Sequence, residues 1–140
     1  MSGKLDRAIA ESERESQSQE LAAEMFAMER RALSEQIPAV WAKFRAAIRL
    51  KCGARREHFL FLVCPDIEVR VERRNDPKHR TLEMELLRES GTVEFNCGGA
   101  SGCFTIRLNR QSIAGVCDQD GHPFASVDDA ADEVLGLLFA

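Results

Sequence analysis

The chain contains no tyrosine, one tryptophan and no apolar run long enough to cross a bilayer. Its longest such run, residues 59–64, is far short of the roughly 20 residues that a spanning helix needs. The opening segment MSGKLDRAIAESERES lacks the apolar stretch of a secretory signal. The expectation is therefore a soluble, cytoplasmic protein with no membrane partner. Five cysteines make an odd number, and none lies within four residues of another. Without a CxxC or HxxxH pair a zinc site has no local nucleus, and the scattered positions match no disulfide framework. The cysteines are expected to be reduced.

Other signatures are missing as well. There is no GxGxxG to carry a dinucleotide, no GxxxxGK[ST] to cradle a nucleotide phosphate, and no GxSxG to present a serine nucleophile. No cofactor, metal or catalytic residue is assigned, and an enzyme is not the favoured class. His122, in DQDGHPF, and Cys103 are the side chains nearest to reactive. An exposed histidine between turn residues is usually only that.

What the chain does contain suits one small domain. Hydrophobic residues at 44% and charged residues at 30% lie near globular averages, which argues against wholesale disorder. The net charge of −4 is unevenly spread: residues 1–42 sum to −3, residues 43–80 to +6 and residues 81–140 to −7. A basic middle between acidic ends can mark an anionic partner, or the segments can fold together and cancel.

Residues 4–35 carry no glycine or proline and are rich in Glu, Gln, Ala, Arg and Met, a strongly helical composition. Between Ile9 and Leu21 there is no large apolar side chain, so this part is expected to fray or project into solvent. Leu21, Met25, Met28 and Leu33 then supply an apolar stripe. An isolated helix is marginal, so the stripe needs a surface, either the rest of the chain or a second copy. Ile37, Val40, Trp41, Phe44 and Ile48 recur at amphipathic spacing, which predicts a second, core helix. Ser34 is its expected cap, Pro38 lies in its first turn, and Gly53 ends it near Lys51.

From residue 58 the period falls to two. Residues 58–64, HFLFLVC, are apolar throughout and fit either a strand or a connection. IEVRVERR, RTLEMELLRE, TVEFNC and FTIRL alternate, and SIAGVC gives a short fifth strand. Ser126 followed by two aspartates caps a closing helix with Val127, Ala130, Ala131, Val134, Leu135 and Leu138 on one face. The expected fold is α+β: an antiparallel meander of about five strands packed on one face by helices. A helical arm, residues 1–35, precedes a single domain, residues 36–140.

NCGGASGCF, residues 96–104, is tested by strand parity. Directly opposed residues share a face, so a Cys97–Cys103 pairing would set Phe95 against Thr105 and Val93 against Arg107. The register that keeps the core dry puts Cys97 opposite Gly102, Phe95 opposite Phe104 and Val93 opposite Ile106, with a four-residue loop over residues 98–101. Cys97 is then a core residue, as Cys64 and Cys117 are expected to be. Cys103 faces outward as a candidate reactive thiol.

Three functional readings follow. The leading one is a protein-interaction module, self-associating as a homodimer or other homo-oligomer through Leu21, Met25, Met28 and Leu33, or binding another protein there. The second is a small-molecule binder or enzyme using a pocket between sheet and helices. The third and weakest is a nucleic-acid binder through a basic hairpin tip, Arg73, Arg74, Lys78 and Arg80. Arg70 is expected to face Glu83 or Glu85 across the sheet and spend its charge there, and no aromatic side chain on that face could stack a base.

Overall fold

The computed structural model describes residues 3–140. By its internal contacts the chain divides into two compact units, Met1–Ala32 and Leu33–Ala140. Residues 1 and 2 of the expected arm lie outside the described residues.

Helix α1 spans Gly3–Ala54, and β1 (Phe59–Leu62), β2 (Glu68–Arg73), β3 (Thr81–Leu87), β4 (Thr92–Cys97), β5 (Ala100–Leu108) and β6 (Ala114–Cys117) follow it. The chain closes with α2 (Val127–Gly136) and a 3-10 turn, Leu137–Phe139. The strands form one antiparallel sheet in the order β1-β2-β3-β4-β5-β6. The fold is α+β as expected, but the sheet has six strands rather than five. The added strand is the apolar run at 58–64, whose continuous hydrophobicity hides its period. In place it alternates, with Phe59 buried and Leu60 exposed.

Pro38 departs further from expectation. It lies inside α1, which continues through it as a helix to Ala54. Local rules favour a break there, because proline removes a backbone donor and crowds the preceding turn. Ile37, Val40 and Trp41 are all buried on either side of it, and burial of each large apolar side chain contributes about 1.5–3 kcal/mol. That packing outweighs the local cost.

One face of the sheet is covered. Val69, Met84 and Phe95 align across β2, β3 and β4, with Val71, Leu82 and Cys97 in the next row. Onto these pack Ile37, Phe44 and Ile48 of α1 and Ala131, Val134 and Leu138 at the C-terminal end. The Ser126 side chain accepts a hydrogen bond from the Asp129 N–H at 3.4 Å, capping α2 as predicted.

The β4–β5 hairpin keeps the expected faces with a tighter turn. Cys97 pairs with Ala100, Phe95 with Gly102 and Val93 with Phe104, two residues from the predicted register. The turn is Gly98-Gly99, with φ of 60° and 96°, so two glycines replace the four-residue loop. The expected register matched Phe95 with Phe104 directly. Instead the Phe95 ring covers Gly102, where an added Cβ would lie 2.6 Å from Cζ, and meets Phe104 diagonally at 5.0 Å between centroids.

Candidate functional site

Residues 3–32 of the first unit are helical, and every side chain from residue 3 to residue 31 is exposed except the half-exposed Ala10. Leu21, Met25 and Met28 are 58%, 56% and 69% exposed. A single helix has no second surface of its own on which to bury such a stripe. Leu33 does not belong with them: it is half-buried against the hydrophobic core of the second unit. Phe26, 60% exposed, was missed by the stripe; its ring lies 5.8 Å from the Arg30 guanidinium, one turn away. Its spacing from the others hides it, because it stands on a different side of the helix.

The basic cluster is engaged elsewhere. Arg80 donates through Nη1 to the Leu137 and Ala140 carbonyls at 3.1 and 3.0 Å, and through Nη2 to the Leu138 carbonyl at 2.6 Å. Arg73 donates to the same Leu138 oxygen at 3.2 Å, with its guanidinium 4.3 Å from the centre of the Phe139 ring. Lys78 Nζ reaches the Ala140 oxygen at 3.0 Å, and Arg74 Nε donates to the Arg56 carbonyl at 2.7 Å. Arg73, Lys78 and Arg80 thus satisfy the Leu138 and Ala140 carbonyls, which the end of the 3-10 turn leaves short of backbone donors. Beneath them the Asp76 carboxylate is nearly fully buried and accepts from the Lys78 and Arg80 N–H groups and from Arg80 Nε. Burial pushes its pKa up, but these hydrogen bonds and the Arg80 charge outweigh it and hold the carboxyl at about 2.

Cys103 sits on the outer face directly opposite Glu94, which faces Glu85, which in turn faces Glu68. Arg70 faces Glu83 and bonds Glu68 at 3.2 Å, so its charge is spent within the sheet. All five cysteines are free. Burial raises the pKa of Cys52 to about 11 and also raises those of Cys97 and Cys117. Cys64 is only half-buried, with its Sγ 3.0 Å from the Glu68 carbonyl oxygen.

His122 lies in a turn with Asp118 and Asp120, their ligand atoms within 4.8 Å of one another. The Asp118 carboxylate accepts from the Asp120 and His122 N–H groups at 2.9 Å each, which is the chemistry of an aspartate-closed turn. Neither His122 nor Cys103 lines the cavity beside α1, which is formed by residues of α1, β1 and the end of β3.

Fold and surface together define a class: an α+β protein with a one-sided antiparallel meander and an exposed apolar helical stripe. Comparison with protein-family models, curated proteins and solved structures finds no match to this chain. No helix among the described residues is long and apolar enough to cross a membrane.

Proposed function

We propose that this protein is an interaction module that self-associates as a homodimer through the apolar stripe of its N-terminal helix. The observation that carries this reading is the exposure of Leu21, Met25 and Met28 on one helix. Free cysteines are in keeping with a reducing, cytoplasmic setting.

The spacing supports a particular pairing. Leu21, Met25, Met28 and Ala32 fall at d, a, d and a of a heptad, the positions that form a two-helix seam. Glu24 and Arg31 then both fall at g, and Glu29 at e. In a parallel pair g faces e of the partner, which opposes Glu24 to Glu29. In an antiparallel pair g faces g, which matches Glu24 with Arg31 twice. Charge therefore selects the antiparallel arrangement, with Met25 against Met28 of the second copy.

Sedimentation equilibrium of the full chain tests this between about 1 and 200 µM, a range that spans ordinary weak dimers. The expected result is a concentration-dependent dimer that Met25→Glu with Met28→Glu abolishes while the fluorescence of Trp41, in the second unit, stays unchanged. Glu24→Arg weakens the dimer, and adding Arg31→Glu restores it. Strengthening by Glu24→Arg alone would show a parallel pair, and a wild-type monomer throughout the range would remove self-association altogether.

A further inference from the structure

A cavity of about 600 Å³ lies in the second unit beside α1, bordered by β1, the turn after it and the end of β3. Its volume falls within the roughly 300–1,000 Å³ typical of small-molecule sites. Ile37, Trp41, Phe61 and Leu86 give it an apolar lining. Ala42 and Ala46, one turn apart on α1, also line it, and their short side chains leave the space open.

Three arginines, Arg45, Arg49 and Arg88, share this lining with a single acid, Asp66. Arg45 accounts for that acid, with Nη1 3.5 Å from the carboxylate and Nη2 donating to the Cys64 carbonyl at 3.1 Å. Its Nε–H is buried without a hydrogen-bond partner among the described residues. A buried guanidinium donor left so is uncommon, because the lost hydration goes uncompensated. Arg49 and Arg88 form no ion pair among the described residues. Asp76, by contrast, accepts three hydrogen bonds, and the cations near it are spent on carbonyls. Two arginines without an ion pair, Arg49 and Arg88, thus border an apolar cavity whose single acid is already taken by Arg45.

We infer that this cavity binds a small amphipathic anion, an apolar body carrying one carboxylate or phosphate group. The body lies against Trp41, Phe61 and Leu86, and the headgroup meets the guanidinium groups. Arginine suits either headgroup, because its planar fork of donors matches two oxygens at once. An uncharged body would leave the arginines unmatched, and a bare anion would leave the apolar lining wet. Both features must therefore reside in one ligand. This inference is independent of self-association, since no residue of the helical stripe takes part.

The chain has one tryptophan, and it lines the cavity, so fluorescence reports occupancy directly. The full chain is titrated with decanoate, decyl phosphate, decanol and acetate below micelle-forming concentrations, with calorimetry in parallel in case the emission is insensitive. Decanoate or decyl phosphate is expected to saturate a Trp41 signal or a heat at roughly tenfold lower concentration than decanol, the scale of one charge-assisted contact. Acetate is expected to leave both readouts unchanged. The better of the two anions identifies the headgroup. Arg49→Gln and Arg88→Gln, both exposed and without ion pairs, should each weaken anion binding roughly tenfold and leave decanol binding unchanged. Ala42→Phe should block every ligand by filling the space. Equal binding of decanol and the anions, or no saturable signal by either method, would overturn the proposal.

Discussion

Replacing Pro38 with alanine separates the continuous α1 of the structure from the broken helix that local rules favour. Inside a helix, proline leaves the carbonyl four residues earlier, here that of Ser34, without its backbone donor, and its ring crowds that carbonyl. On peptide scales proline is about 3 kcal/mol worse than alanine at an interior position. Part of this cost has already been relieved where packing on both sides holds the helix together, so the substitution should return about 1–3 kcal/mol. Pro38 itself is exposed, and alanine there removes no core contact. For a chain of this size, about 3–4 °C of melting temperature corresponds to each kcal/mol, giving a rise of about 3–12 °C. Thermal unfolding followed by circular dichroism at 222 nm measures it, with urea unfolding at constant m as a check. If a new helix instead began at Pro38, with proline at its first helical position, its missing donor would cost nothing there and alanine would gain nothing. An unchanged or lower melting temperature refutes the reasoning.

Three further outcomes are expected. Gly98→Ala should destabilise the fold by about 1–3 kcal/mol in urea, because it strains a positive φ and its Cβ would meet the Arg80 side chain that holds the 3-10 turn. Wild-type stability at Gly98→Ala would mean that the two-glycine turn is not required. Asp76 has a folded pKa near 2, below its ordinary value of 3.8, so its contribution is present above about pH 4 and is lost as the pH falls from there toward 2. Asp76→Asn should flatten that limb of the stability curve, and an identical acid limb in the variant would contradict the assignment. Alkylation at pH 8 with mass mapping should modify Cys103 and Cys64 in the native protein and spare Cys52, Cys97 and Cys117 until denaturant is added, since all three are buried with raised pKa values. Prompt labelling of Cys97 would place it on the wrong face of β4.

Much of the fold is legible because it is local. Alternation in IEVRVERR and RTLEMELLRE tells which side of each strand is buried, and Val69, Val71, Leu82 and Met84 are buried accordingly. Spacing of three and four identifies the buried face of α1 from Ile37 to Ile48. Ser126 reads as a cap because its side chain serves a backbone donor three residues away. The exposed stripe is legible for the same reason, whereas Leu33 is not, since its burial depends on the core of the second unit.

What the sequence by itself determined are faces and periods: which side of each element is apolar, where glycine permits a turn, and that Cys97 and Cys103 point opposite ways. It left open every choice between arrangements that share those faces. A slip of two residues in the β4–β5 register changes no face, so the turn glycines and the contact of Phe95 with Gly102 had to select it. The edge strand β1 shows its alternation only once one side is covered. Arg80 reads as a free cation until carbonyls 57–60 residues along the chain are brought to it. The cavity beside α1 has no sequence signature, because Arg49, Asp66 and Arg88 belong to separate segments. Local steric rules and hydrophobic periodicity act within a few residues, whereas register, charge neutralisation and cavities arise from distant residues packed together, and only the tertiary structure decides them.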